Sequence, residues 1–105
     1  MKEVTVAELK AMLDDKVDFQ LIDVREPHEF DLCNLGGQLI PLSQIPESAD
    51  RIDCQRQVVI HCRSGARSGQ AVRWLEQNLG LTNLYNLKGG ILAWSDQIDP
   101  SIPKY

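Results

Sequence analysis

The sequence has 105 residues, 43% of them hydrophobic and 25% charged, with a formal net charge of -4. That length supports one domain with a modest core and excludes two. The acidic balance argues against nucleic acid as the main partner, because phosphate binding calls for a basic face. No apolar run approaches the roughly 20 residues of a membrane span. The first residues, MKEVTVAELK, lack the apolar stretch of a secretory signal, so a cytoplasmic location is the expectation. In that compartment Cys33, Cys54 and Cys62, an odd number, read as free thiols and not as a disulfide framework.

Along the chain, Thr5-Val6-Ala7-Glu8 has the form of a capping box. It predicts a short helix to about Leu13, with Val6, Leu9, Met12 and Leu13 on one face. Residues 19–24 form a short apolar run that reads as a buried strand. Glu26-Pro27 can start a helix, since proline is tolerated in the first turn; this one runs through Glu29, Phe30 and Leu32 and stops before Gly36-Gly37. Leu39–Leu42 is a second apolar piece, followed by a proline-containing loop and a short helix before Ile52.

Val58-Val59-Ile60 is continuous and β-branched, as a central parallel strand covered on both faces requires. It runs into His61-Cys62-Arg63-Ser64-Gly65-Ala66-Arg67-Ser68. A helix follows to about Leu79, with Ala71, Val72, Leu75 and Leu79 at helical spacing and Gly80 as its C-terminal stop. Residues 83–87 predict another strand, and Gly89-Gly90 opens a last helix through Trp94 to about Ile98. Strand and helix alternate, which implies an α/β fold with a mostly parallel sheet and helices on both faces. Ligand sites in such sheets lie beyond the carboxyl ends of the strands. Asp23 and Arg25 stand at one such end, and Cys62 stands at another.

A cysteine at the tip of a central strand, before a short glycine-containing loop and a helix, points to nucleophilic chemistry. Successive loop amides and the positive end of the helix stabilise an anion there, and the same field favours thiolate over thiol. Arg63 and Arg67 add cationic forks suited to an anionic substrate. Ser64 and Ser68 offer hydroxyls, with Ser68 a candidate helix cap, and Gly65 permits a left-handed backbone. A buried cysteine taken alone is a small hydrophobe, and the two arginines taken alone are surface charge. The conjunction at a strand end carries the functional reading of Cys62 as a nucleophile in an anion cradle.

HCRSGARS after VVI, with LIDVRE upstream and LKGGILAW downstream, resembles a rhodanese (sulfurtransferase) domain over essentially residues 1–105. The resemblance implies a single small α/β domain with a parallel sheet of about five strands. It implies that Cys62 is the sulfur-accepting nucleophile and that residues Arg63, Ser64, Gly65, Ala66, Arg67 and Ser68 form the loop that holds a persulfide. Asp23 and Arg25 would brace the site, and Gly89, Gly90 and Trp94 would form a structural C-terminal motif. Cys33-Asn34-Leu35-Gly36-Gly37 stands where many members carry a Gly-His-Ile and Pro-Gly-Ala pattern. With the ending GGILAWSDQIDPSIPKY, this is similar to rhodanese domains fused to adenylyltransferases that serve molybdopterin and ubiquitin-like sulfur carriers.

The implied partners are an anionic small-molecule donor such as thiosulfate or a cysteine desulfurase, and a carrier protein ending in Gly-Gly. No metal or organic cofactor is expected, only a covalent cysteine persulfide. Two other readings stay open. One is a noncatalytic binding or regulatory module, which would have no use for the nucleophile. The other is a small phosphatase or arsenate reductase. It is disfavoured because four residues separate Cys62 from Arg67, where the related phosphatases have five, and because the loop holds no acid for a leaving group. Among the remaining residues, His28, His61, Cys33 and Cys54 lack metal-ligand spacing. The His61 side chain should point away from that of Cys62 and pack. Trp74 and Trp94 read as core, and Tyr105 as a loose end.

Overall fold

The computed structural model describes residues 1–105 and shows five strands and four helices. In chain order these are β1 (Glu3–Val4), α1 (Val6–Asp14), β2 (Phe19–Asp23), α2 (Pro27–Leu32), β3 (Gln38–Leu39), β4 (Gln57–His61), α3 (Ala66–Leu79), β5 (Leu84–Leu87) and α4 (Gly90–Gln97). Two 3-10 turns, Leu42–Gln44 and Ala49–Arg51, fill the connection from β3 to β4. The strands form one sheet in the order β1-β5-β4-β2-β3, and every pairing is parallel. All strands therefore end on the same edge, and the loops that follow β2 and β4 are neighbours there. No helix is long and apolar enough to cross a membrane.

Period-two alternation in β4 divides the core. Val58 and Ile60, with Cys62 beyond them, face Ala71, Val72 and Leu75 of α3. Val59 faces the other way, into a second cluster with Val6 and Leu9 of α1 and Trp94 of α4. Helices thus cover both faces, as the alternation of elements predicts. The α1 capping box forms as expected: the Glu8 amide donates to Thr5 Oγ1 at 3.1 Å and the Thr5 amide to Glu8 Oε1 at 3.0 Å.

The structure adds two short strands to those read from the sequence, β1 and β3. β1 is an additional edge strand, only two residues long and so too short to carry a periodic signal. Of the 39–42 piece only Leu39 lies in a strand, beside Gln38 in β3; Leu42 turns instead into a 3-10 helix, its amide held by the Val24 carbonyl at 3.0 Å.

Candidate active site

Cys62 directly follows β4 and is 1% exposed. The chain turns sharply at Gly65, whose φ of 111° is left-handed backbone that side chains disfavour. That turn points two amides at the sulfur: Gly65 N–H at 3.1 Å and Ser68 N–H at 3.4 Å. The Ser68 hydroxyl lies 3.3 Å from Cys62 Sγ. Burial pushes the Cys62 thiol up. The hydroxyl and amide of Ser68 and the amides of Gly65 and Ser64 outweigh it and leave the thiol below its ordinary value. The expected cradle of amides is present. Ser68 is not the helix cap, however: Gly65 takes that position, and Ser68 lies inside the first turn with its amide on the sulfur.

The loop rests on α4. Gly90 has a φ of 60°, and a Cβ there would meet the Arg63 carbonyl oxygen at 2.4 Å and that of Cys62 at 2.7 Å. Without one, the first amides of α4 reach the loop from below: Ile91 donates to the Cys62 carbonyl at 3.0 Å and Leu92 to that of Arg63 at 3.1 Å. This is the physical content of the Gly89-Gly90 pair. Trp94, four residues on, is buried in the second core cluster, and Trp74 packs half-buried against the first.

The end of β2 supplies the brace. Arg25 is fully buried. Its guanidinium binds Asp23 through Nη2 to Oδ2 at 2.7 Å and Nε to Oδ1 at 3.0 Å, and Nη2 also donates to the Cys33 carbonyl at 2.7 Å. Burial works against that charge, but Asp23 first and then Tyr105 raise the Arg25 pKa above its ordinary value. His61 is buried, as expected of a packing residue; its Nε2 lies 3.7 Å from Asp23 Oδ2 without a hydrogen-bond partner, and its Nδ1 lies 3.4 Å from the Cys62 carbonyl oxygen. Burial lowers its pKa from the ordinary imidazole value, which disfavours the charged ring.

Three residues outside the sequence-derived set complete the site. Glu29 of α2 receives Arg67 in a two-armed pair, at 2.6 and 2.9 Å, together with the Tyr105 hydroxyl at 2.7 Å and the Glu26 amide at 3.1 Å. Arg67 first, and the Tyr105 hydroxyl and Glu26 amide with it, hold the Glu29 carboxyl well below the usual range against burial. It stays ionised and offers no proton to a leaving group. Tyr105 is pinned, contrary to the expectation of a loose end. Its hydroxyl also accepts from Arg25 Nη1 at 2.9 Å, and its main-chain oxygen accepts from Arg63, whose guanidinium lies 5.2 Å from the Tyr105 ring centre. The two loop arginines therefore hold protein acceptors. Asn86 of β5 is the third residue: its Oδ1 accepts from the Ser68 hydroxyl at 2.5 Å and its Nδ2 donates to the Gly65 carbonyl at 3.2 Å. Ser64 and Ala66 are exposed at the rim. All three cysteines are free; Cys33 is buried and Cys54 exposed.

The family model for the rhodanese-like domain matches residues 5–97. The chain belongs to the rhodanese-like domain family. Among relatives of this rhodanese-like chain, a protein of Allochromatium vinosum named sulfurtransferase is 40% identical over 96 residues, covering 90% of this chain and 89% of that protein. The probable adenylyltransferase/sulfurtransferase MoeZ of Mycobacterium tuberculosis is 36% identical over 105 residues, covering 97% of this chain and 26% of that protein. The chloroplastic rhodanese-like/PpiC domain-containing protein 12 of Arabidopsis thaliana is 38% identical over 113 residues, covering all of this chain and 38% of that protein. The chain thus spans only part of the length of the last two. The crystal structure of a rhodanese-like domain protein from Staphylococcus aureus superposes with a TM-score of 0.82 at 33% identity, covering 93% of this chain and 95% of that one. The single α/β domain with its parallel five-stranded sheet is the rhodanese fold.

Proposed function

We propose that this protein is a sulfurtransferase that carries sulfane sulfur on Cys62. The observation that supports it most directly is the pair of Gly65 and Ser68 amides aimed at Cys62 Sγ in a chain of the rhodanese-like family. Amide dipoles favour a thiolate, which is the nucleophilic form of a cysteine. In the first half-reaction the thiolate attacks the outer sulfur of a donor such as thiosulfate. A new S–S bond forms at Sγ, the donor's S–S bond breaks, and its electron pair leaves with sulfite. In the second, a nucleophilic acceptor attacks the outer sulfur and Cys62 departs as thiolate. The same loop amides serve as donors to the persulfide anion between the two steps. The cycle draws on the cysteine and the loop alone, with no metal or organic cofactor, and predicts ping-pong kinetics.

Arg63 would meet an anionic donor once it exchanges the Tyr105 main-chain oxygen for the donor's oxygens. Arg67, saturated by Glu29, shapes the loop instead. A protein persulfide delivered by a cysteine desulfurase is the alternative donor. The adenylyltransferase named alongside the sulfurtransferase in MoeZ suggests a second kind of acceptor, a carrier protein whose Gly-Gly end is an acyl adenylate. There the outer sulfur of the persulfide is the nucleophile: it attacks the acyl carbonyl and expels AMP. A thiol reductant then attacks Cys62 Sγ in the acyl disulfide, so that the carrier leaves as a thiocarboxylate and Cys62 is left in a disulfide that a second thiol reduces. The ionised Glu29 leaves the loop without a proton donor, which tells against phosphate-ester hydrolysis.

The test is intact mass after incubation with thiosulfate, then cyanide, in wild type and Cys62→Ala. A gain of one sulfur in wild type only, discharged as thiocyanate, is expected. No gain with thiosulfate, and none with a cysteine desulfurase and cysteine, would overturn the proposal in favour of a binding module.

A further inference from the structure

Cys62, Ser68 and Asn86 form a chain of three polar groups with one hydroxyl proton at its centre. All three residues are buried, at 1%, 0% and 5% exposure. The Asn86 amide cannot turn over. Its Nδ2 is held by the Gly65 carbonyl at 3.2 Å, so its Oδ1 faces Ser68 Oγ at 2.5 Å. An amide oxygen only accepts, so Ser68 must be the donor in that contact. A hydroxyl has one proton. While Ser68 gives it to Asn86, it presents only lone pairs to Cys62 Sγ at 3.3 Å. That arrangement suits a thiol, whose S–H can donate to Ser68. It does not suit a thiolate, which needs the proton turned towards it.

We propose that Asn86 is a positioning residue that competes with the Cys62 thiolate for the Ser68 proton. In the thiol state the proton lies on the Asn86 side and every group is satisfied. When Cys62 ionises, the charge-assisted bond to sulfur is the stronger one and the proton turns to Sγ. Asn86 Oδ1 is then left buried without a donor, an unfavourable state for a polar atom. Asn86 thus holds the thiolate less favourable than Ser68 alone would make it. The consequence for transfer rests on the sulfurtransferase reading. Once sulfur is loaded, the negative charge moves from Sγ to the outer sulfur, Ser68 returns its proton to Asn86, and the penalty disappears. The pair therefore biases Cys62 towards the loaded form.

Other charged or titratable groups around the sulfur are Arg67 of α3 with Glu29 of α2 and Tyr105 bound into the same network, Arg63 on the loop, His61 of β4, and the Asp23–Arg25 pair at the end of β2. None of them bonds to the Asn86 side chain, which hydrogen-bonds only with Ser68 and Gly65. A change at Asn86 consequently reads the hydroxyl and not the ionic network.

The test is the pH profile of Cys62 alkylation by iodoacetamide, followed by peptide mass so that Cys33 and Cys54 do not contribute. This readout needs no sulfur transfer, so it stands whether or not thiosulfate loads the protein. In Asn86→Leu the midpoint should fall by about one unit, the scale of one buried hydrogen bond. In Ser68→Ala it should rise, because the thiolate loses its hydroxyl donor. In a Ser68→Ala background the Asn86 substitution should have no effect. A merely structural role gives the opposite sign: a loosened loop loses its amide donors and the midpoint of Asn86→Leu rises. A rise or no change in Asn86→Leu, or a shift that persists without Ser68, would overturn the proposal. Far-UV circular dichroism checks folding. Asn86→Ala, a smaller change at the same atoms, should move the midpoint the same way, and Ser68→Ala alone overturns the proposal if its midpoint does not rise.

Discussion

β2 and β4 lie side by side in register, Asp23 opposite His61, and end on the same edge of the sheet. The segments beyond those two ends differ in kind. Beyond β2 stands a permanent charge, Arg25, matched by a carboxylate, two carbonyl oxygens and a phenol. Beyond β4 stands a group that is charged only part of the time, and it is met by amides and a hydroxyl. A fixed counter-charge suits a fixed charge, since its desolvation is offset once and for all. An intermittent charge is better served by dipoles, because a neutral donor left facing a thiol leaves no buried charge unmatched. The two ends divide the labour: one holds the architecture and the other is free to change its charge.

The first way to break this comparison is to unbalance the ionic end. Asp23→Ala leaves the Arg25 guanidinium buried without its carboxylate. That should cost about 3–5 kcal/mol, the range for breaking a buried pair, measured by denaturant unfolding. Replacing both partners, as Asp23→Leu with Arg25→Met, should recover most of the loss. A single-variant cost near zero would mean that Arg25 reaches water and that the two ends are not different in kind.

The second strikes the dipole end from below. Gly90→Ala places a Cβ 2.4 Å from the Arg63 carbonyl oxygen at a φ of 60°. Strain of this sort costs on the order of 1–3 kcal/mol. The loop must shift, so the Gly65 and Ser68 amides should lose their aim and the alkylation midpoint of Cys62 should rise. A normal midpoint in a destabilised variant would separate the α4 packing from the cradle.

Each of the two ends was legible in the sequence only in part. The cradle was readable because its parts are contiguous: strand, cysteine, glycine and helix start all lie within residues 58–68. The Asp23–Arg25 pair was readable for the same reason, at a separation of two. Glu29, Asn86 and Tyr105 were not, since each arrives from a different element and meets the loop only through the tertiary fold. Two of them left a local trace. Glu26 and Glu29 have the three-residue spacing by which a side chain reaches back to a helix start, and the Glu26 amide does donate to Glu29. Asn86 is a polar residue in the middle of the apolar run Leu84–Leu87, where strand preference alone would not put it. Tyr105 left none, because nothing local distinguishes a docked aromatic from a loose one.

The third and smallest effect comes from the strip between the ends, where His61 faces Asp23. Burial lowers the His61 pKa; Asp23 opposes the shift and Arg25 adds to it. A lowered histidine gives stability above its unfolded value, near 6.5. Below that pH the unfolded chain takes up a proton that the folded chain refuses. Unfolding then becomes easier as pH falls, by up to about 1.4 kcal/mol per pH unit for one group. The carboxylates held down in the fold, Glu8, Glu29, Asp53 and Asp99, contribute only at lower pH, as their unfolded values near 4 are approached. The Cys62 thiol, also held low in the fold, makes stability fall in the same direction as pH falls, so between about pH 6.5 and 5 the His61 share is the difference between wild type and a His61 variant. Denaturant unfolding across that window should show falling stability in wild type and a flatter profile in His61→Gln. A wild-type profile as flat as the variant's would mean that the ring accepts its proton in place, with Asp23 as partner. The strip would then belong to the ionic end, and the boundary between fixed and intermittent charge would lie one residue nearer Cys62.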